Sequence, residues 1–232
     1  MIATDPVAPA TLPAWSAFAD AAAVASADRL LDLGCGAGEL CALAATRGAS
    51  VHGVDAAPSA IERARLAVPE GDFRIALIED LPWPDETFDV VTAFNSLQYA
   101  LDVDAALEEA RRVARRDGRV AICKWARPQE NEFFAFLIAV GAVPARALRA
   151  RDPVDDALRR SRLSCVRAGE IPLAMEMADA PTLETALISA GALDARAEDQ
   201  ERHRLLTAAE RFRQADGSYR FVSRLGYVIA VR

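Results

Sequence analysis

The 232-residue chain contains little lysine, histidine or cysteine. Lys124 is its only lysine, so nearly all of its 27 basic residues are arginines, and its 34 acidic residues give a net charge of −7. Proteins bind a phosphate backbone through clustered Lys and Arg, so this balance disfavours a nucleic-acid partner. The four cysteines form no C-x-x-C pair. We therefore expect reduced thiols and no metal site.

The sequence also lacks long apolar runs. The longest, residues 133–145, is too short to span a bilayer and is interrupted by Gly141 and Pro144. Residues 1–6 lack the basic end and the apolar core of a signal peptide. An apolar content of 52% with 26% charged residues is typical of a globular domain. We expect a cytoplasmic protein without a membrane partner.

The most informative segment follows a short apolar strand. Residues 29–33 predict a buried strand around one acid, and Gly34, Gly36 and Gly38 then precede a helical pattern. A strand, a glycine turn and a helix form the first unit of a nucleotide-binding α/β fold. A dinucleotide fingerprint would place its third glycine at position 39, which is Glu39. This spacing disfavours a nicotinamide oxidoreductase, which remains a minor alternative.

A second acid follows at the distance that such a fold requires. Residues 50–55 predict a strand that ends in Asp55, about 20 residues after Gly34. In a doubly wound sheet this carboxylate lies beside the glycine loop and can accept both hydroxyls of a ribose. The alternative is an acid that only favours the N-terminus of the helix predicted at 58–65.

The motif Asp-Leu-Gly-Cys-Gly-Ala-Gly at residues 32–38 resembles the first motif of class I S-adenosylmethionine-dependent methyltransferases. Residues 79–89 and 117–120 add further similarity, and the resemblance covers roughly residues 29–126. It implies an α/β fold with a doubly wound, mostly parallel seven-stranded sheet. It also implies S-adenosyl-L-methionine as the cofactor.

The remaining elements were assigned from periodicity and from this resemblance. Further strands are predicted at 73–78, 88–94, 119–125, 193–197 and 225–231, and helices at 104–115, 181–190 and 204–213. Three parts follow: residues 1–126 with an N-terminal helix and the cofactor-binding half, an inserted helical lid at 127–180, and a C-terminal part at 181–232. The apolar run at 133–138 can line the lid, pack on the domain or meet a homodimer partner.

The resemblance also assigns the residues around the cofactor. It implies that Gly34 and Gly36 contact the methionine part, that Asp32 lies near its ammonium and that Ala56 contacts the adenine. The adenine-binding acid of the family falls on Leu77, with the backbone amide on Ile78. Because leucine cannot accept a hydrogen bond, the alternatives are Glu79, Asp80 or the backbone alone.

The acceptor side is less defined. Asn95 ends the fourth strand, where it can reach the cofactor or the reacting centre, but no Pro-Pro-aromatic follows it, which disfavours methylation of nucleic-acid bases. Gln98 and Tyr99 either line the substrate pocket or pack. His203 is a candidate general base if the sixth strand brings it to the same sheet edge, although it can equally be a solvated residue of a charged run.

Together these residues predict methyl transfer to a small organic molecule, such as a bacterial secondary metabolite or a quinone-like acceptor. The alternative is a protein of the same fold that binds the cofactor but uses it structurally or for other chemistry. Trp15 and Phe18, on the predicted N-terminal helix, either close over the cofactor or pack.

Overall fold

The computed structural model describes residues 8–127, 130–143, 152–189 and 192–232. Its helices are α1 (Ala8–Ala21), α2 (Glu39–Thr46), α3 (Pro58–Ala67), α4 (Val103–Val113), α5 (Glu132–Ala139), α6 (Pro153–Arg160), α7 (Ala180–Ser189) and α8 (Asp199–Ala209). Its strands are β1 (Arg29–Leu33), β2 (Ser50–Asp55), β3 (Asp72–Ile75), β4 (Phe88–Phe94), β5 (Ala114–Trp125), β6 (Ser164–Met177) and β7 (Tyr219–Val231). In the described ranges no helix is long and apolar enough to cross a membrane.

The strands form a mixed seven-stranded sheet in the order β3-β2-β1-β4-β5-β7-β6. The pairs β1–β2, β1–β4, β2–β3 and β4–β5 are parallel, and one antiparallel hairpin completes the sheet. The predicted α/β fold class is confirmed. Since the chain moves outward from β1 to β3 and then returns to β4 beside β1, the order of the sheet reverses between β1 and β4. Open α/β sheets bind ligands at such a reversal.

The chain divides into two compact units. The sheet unit comprises Trp15–Lys124, Arg151–Ile171 and Gly226–Arg232, and the second unit comprises Met1–Ala14, Trp125–Ala150 and Pro172–Leu225.

Apolar side chains on both faces of the central strands explain why the sheet unit folds around them. Leu30, Leu31 and Leu33 of β1 are buried, as expected of a strand covered on both faces. The helix α4 places Leu107 and Val113 into this core, and the Asp102 carboxylate caps it by accepting a hydrogen bond from the Ala105 N–H at 3.0 Å.

Parts of the chain differ from the sequence-based expectations. The strand predicted at 193–197 is wrong, because residues 192–198 form turns and the strand lies instead at Ser164–Met177, inside the predicted lid. The α6 residues Val154 and Ala157 are buried in the sheet-unit core, so this part of the predicted lid packs as core. The three-part division of the chain itself stays a prediction. Residues 128–129, 144–151 and 190–191 lie outside the described residues.

The second unit has an aromatic core of its own. Phe133 and Phe136 of α5 pack against Phe221, and the rings of Phe212 and Phe221 are 4.3 Å apart. Packing therefore accounts for the apolar helix at 133–138. Packing also accounts for Phe18, which is fully buried in the sheet unit against Phe94.

Candidate functional site

The glycine loop after β1 has a backbone that only glycine adopts easily. Gly34, Gly36 and Gly38 have φ angles of +68°, +56° and +87°. At Gly34 an added Cβ would lie 2.5 Å from the Cβ of Ser96, so the two segments approach too closely for any side chain. At Gly36 the nearest atom to such a Cβ is 3.8 Å away. The loop is therefore tight against Ser96 at Gly34 and against Ala64 of α3 at Gly38, and open at Gly36.

Asp55 ties the end of β2 to this loop. One carboxylate oxygen accepts a hydrogen bond from the Gly36 N–H at 3.0 Å, and the other accepts one from the Ala57 N–H at 2.9 Å. An ionised carboxylate accepts about four hydrogen bonds, so each oxygen keeps acceptor capacity for a ligand hydroxyl. Ala57 gives α3 no side-chain cap, as its sequence implied.

Asp32 is the buried acid of β1, just before this loop. It is only 3% exposed, and its carboxylate accepts a hydrogen bond from the Thr92 hydroxyl at 2.7 Å. Burial, and then the charges of Glu39 and Asp55, raise the pKa of Asp32 to about 7, although the Thr92 bond opposes the shift. Asp32 is not part of the pocket wall described below, so its predicted role near a ligand ammonium stays a prediction.

A cavity of about 370 Å³ opens at the carboxyl ends of β1 to β4 in the sheet unit. Its lining residues are Gly34, Asp55, Ala56, Ala76, Leu77, Ile78, Glu79, Asn95, Ser96, Tyr99, Ala100 and Leu101. Of the residues assigned to the site from the sequence, Asp32, Gly36 and His203 do not line this cavity, nor do the alternatives Asp80 and Gln98. Sequence reasoning missed Ala76, Ser96, Ala100 and Leu101. No motif distinguished them, and only their neighbours in the chain pointed to this loop.

The wall beside β4 and the glycine loop is polar, and we call Gly34, Asn95 and Ser96 the polar end of the pocket. Asn95 has a φ of +52°, an uncommon conformation for a residue with a side chain. Among the residues that the structure describes, the buried Asn95 Oδ1 and Ser96 Oγ have no hydrogen-bond partner, and neither has Gln98 Oε1 in the following 3-10 turn. Buried polar atoms usually have partners, so these orphaned oxygens suit a ligand that brings hydrogen-bond donors.

The wall beyond β3 is apolar, and we call Ala56, Ala76, Leu77, Ile78 and Leu101 the apolar end. Leu77 is 47% and Leu101 85% exposed, so neither belongs to the core. Glu79 joins the two segments, because one of its carboxylate oxygens accepts hydrogen bonds from the Leu101 N–H at 2.5 Å and from the Asp102 N–H at 3.3 Å.

The two candidate catalytic residues are placed differently. Tyr99 lines the cavity on the 3-10 turn and is 78% exposed. His203 is an exposed residue of α8 in the second unit, where it lines a separate open groove. The strand expected to bring His203 to the edge beside Gly34 does not form, so the geometric reason for assigning it as the base no longer holds.

Residues 31–122 match the family model of a methyltransferase domain. A ubiquinone biosynthesis O-methyltransferase of Mesorhizobium japonicum is 38% identical over 94 residues, which are 39% of this chain and 38% of that protein. A demethylmenaquinone methyltransferase of Clavibacter sepedonicus is 35% identical over 114 residues, 47% of this chain and 45% of that protein. The chain thus matches less than half the length of these relatives.

A solved structure of similar fold is that of geranyl diphosphate methyltransferase in complex with S-adenosylmethionine. It has a TM-score of 0.55 and 18% identity, and the match covers 94% of this chain and 84% of that chain. The sheet and its flanking helices match the Rossmann-like methyltransferase fold. Residues 31–122 match the methyltransferase domain family, and the resemblance stated from the sequence is confirmed for that segment and for the fold.

Proposed function

We propose that the protein binds S-adenosyl-L-methionine in the 370 Å³ pocket and catalyses transfer of its methyl group to a small organic molecule. The observation that carries this proposal is the row of groups along one sheet edge: the orphaned oxygens of Asn95 and Ser96, the bare Gly34 and the Asp55 carboxylate. A ligand with an ammonium group, a ribose and an apolar base matches this row in polarity.

The residues of the pocket have separate tasks in this proposal. Gly34 lines the pocket with bare backbone, and its lack of a Cβ makes room for the neighbouring Ser96. Asp55 uses its remaining acceptor capacity for the ribose hydroxyls, and Gly36 helps to fix its orientation. Asn95 and Ser96 accept hydrogen bonds from the amino-acid part, which satisfies their buried oxygens.

The chemistry depends mainly on alignment. When bound, S-adenosylmethionine supplies an electrophilic methyl group on a sulfonium. The chain contributes by holding the acceptor in line with that methyl and by excluding water, which accounts for several kcal/mol in such reactions. Tyr99 lies on the cavity wall, where it contacts the acceptor or orients it. The two relatives that act on quinone precursors support a quinone-like or other hydroxylated acceptor.

Calorimetric titration tests the proposal directly. S-Adenosylmethionine and S-adenosylhomocysteine should both bind, whereas NADH should give no heat of binding. Methyl-labelled cofactor is then incubated with hydroxylated quinone precursors and with non-quinone phenols, and label in the product identifies the acceptor class. Failure of both cofactor forms to bind would contradict the proposal. Tight binding without methyl transfer to any acceptor would favour the alternative, a protein of this fold that uses the cofactor structurally or for other chemistry.

A further inference from the structure

The strand order places the parts of a bound nucleoside in a fixed sequence along the pocket. The order β3-β2-β1-β4 puts the polar end at β1 and β4, Asp55 at the end of β2 and residues 76–78 of the apolar end after β3. Ala56 adjoins Asp55, and the hydrogen bond to Glu79 holds Leu101 beside residues 76–78. In folds of this kind the acid after the second strand binds the ribose. The base, on the other side of the ribose from the glycine loop, therefore lies at the apolar end.

No side chain at the apolar end offers a hydrogen-bonding group to the edge of a base. Ala56, Ala76, Leu77, Ile78 and Leu101 carry only hydrocarbon side chains. Such a surface gains free energy by covering the faces of an aromatic ring, at about 25 cal/mol per Å² of apolar surface removed from water. These side chains have no acceptor for an exocyclic amino group.

The carboxylates nearest to the apolar end have other positions or partners. One oxygen of the Glu79 carboxylate holds the backbone N–H groups of Leu101 and Asp102, so this carboxylate is directed toward that loop. Asp80 is exposed and is not among the residues that line the pocket. Asp55 is held by two backbone N–H groups at the ribose position.

We propose that this pocket recognises the faces of the purine and not its 6-amino group. Leu77 is the residue that lets the pocket accept purines with or without an amino group at position 6. This inference rests on the proposed function. Cofactor analogues whose 6-amino group is removed or dialkylated are then ligands as good as the natural one. An apolar pocket discriminates such analogues weakly, whereas a pocket that hydrogen-bonds a polar group rejects ligands lacking it by several orders of magnitude.

The test compares S-adenosylhomocysteine with its 6-deamino analogue, in which purine replaces adenine, by calorimetry. For the native protein the two dissociation constants should agree within about threefold, since no hydrogen bond to the protein is lost. For Leu77→Asp the amino form should be preferred by about tenfold or more, because the new carboxylate accepts from the amino group and such a bond contributes about 1.5–3 kcal/mol. Leu77→Asn provides a neutral acceptor if Leu77→Asp fails to fold.

Leu77→Ala is the matched control. It removes apolar contact but adds no acceptor. Both ligands should therefore bind more weakly by the same factor, and the ratio of their dissociation constants should stay near one. The 47% exposure of Leu77 makes all three variants compatible with folding, which circular dichroism checks.

The outcomes separate the two proposals. A native preference of tenfold or more for the amino form overturns the inference and leaves the proposed function intact. Loss of that preference in Glu79→Ala would then identify Glu79 as the residue that binds the amino group. An unchanged ratio in both Leu77→Asp and Leu77→Asn also overturns it, because the base then lies elsewhere. If the native protein binds neither ligand, the proposed function itself fails.

Discussion

The two ends of the pocket are built in different ways. The polar end rests on a buried carboxylate, positive φ angles and a contact between Gly34 and Ser96 too close for a side chain. The apolar end consists of half-exposed or exposed hydrocarbon side chains joined through Glu79. We therefore expect substitutions at the polar end to change folding and binding together. Substitutions at the apolar end should change which ligands bind, with little effect on the fold.

The largest expected effect concerns Asp32. Its pKa is raised from 3.8 to about 7, so between these pH values the folded protein holds a proton that the unfolded chain has lost. The free energy of unfolding therefore falls as pH rises from 4 to 7, by roughly 4 kcal/mol in total. Asp32→Asn removes this titration and should be the more stable protein at pH 8 but not at pH 4.

Urea unfolding at several pH values measures this effect. Asp80→Asn, at an exposed acid, should keep the native pH profile. Parallel profiles for the native protein and Asp32→Asn would show that the buried carboxylate does not control stability.

The next effect concerns Gly34. Gly34→Ala should lower the free energy of unfolding by about 3 kcal/mol, through backbone strain at a φ of +68° and through overpacking against Ser96. Gly36→Ala is the matched control, because its φ is also positive but its Cβ would meet nothing closer than 3.8 Å. It should lose only the strain component.

The double variant Gly34→Ala/Ser96→Gly tests the cause. Removing the Ser96 side chain should restore part of the loss, as urea unfolding would show. Equal losses in Gly34→Ala and Gly36→Ala would mean that the close approach to Ser96 does not matter.

A smaller effect is expected at the junction between the two ends. Asp55→Ala should weaken binding of S-adenosylhomocysteine by about 1.5–3 kcal/mol, the contribution of hydrogen bonds to a charged group. Asp80→Ala, at an exposed acid outside the pocket lining, serves as the control and should bind normally. An unchanged dissociation constant for Asp55→Ala, with intact circular dichroism, would remove Asp55 from the site.

The smallest effect is expected at the apolar end. Glu79→Ala removes the acceptor for the Leu101 and Asp102 N–H groups, which are exposed and can bind water instead. The free energy of unfolding should fall by about 1 kcal/mol or less, while Glu79→Gln, which keeps an acceptor, should lose even less. A loss above 3 kcal/mol in urea would contradict the view that this end is loosely built.

The sequence was most informative where local chemistry and tertiary structure require the same residues. The glycines of the loop need positive φ angles, and Asp55 follows a strand at a fixed distance, so both could be located from spacing alone. Strand β4 was predicted with its observed bounds, Phe88–Phe94, because turn residues flank its apolar run.

The sequence was least informative where an element is specified only by its neighbours. Residues 164–177 form an edge strand whose first half is mostly exposed, and the alternation of buried residues begins only at Ile171. The apolar residues near 193 instead suggested a strand that does not form. The role proposed for His203 depended on that strand.

The amino-acid sequence by itself determined the fold class, the glycine loop and the acid of β2, because these depend on backbone conformation and on short fixed spacings. The tertiary structure decided that Ser96 and Leu101 share a pocket with Gly34 and Leu77. It also decided that Asp32 is buried against Thr92 and that Glu79 joins two loops. Contacts between segments distant in the chain follow from how the strands order in the sheet, and neither periodicity nor a local motif encodes that order.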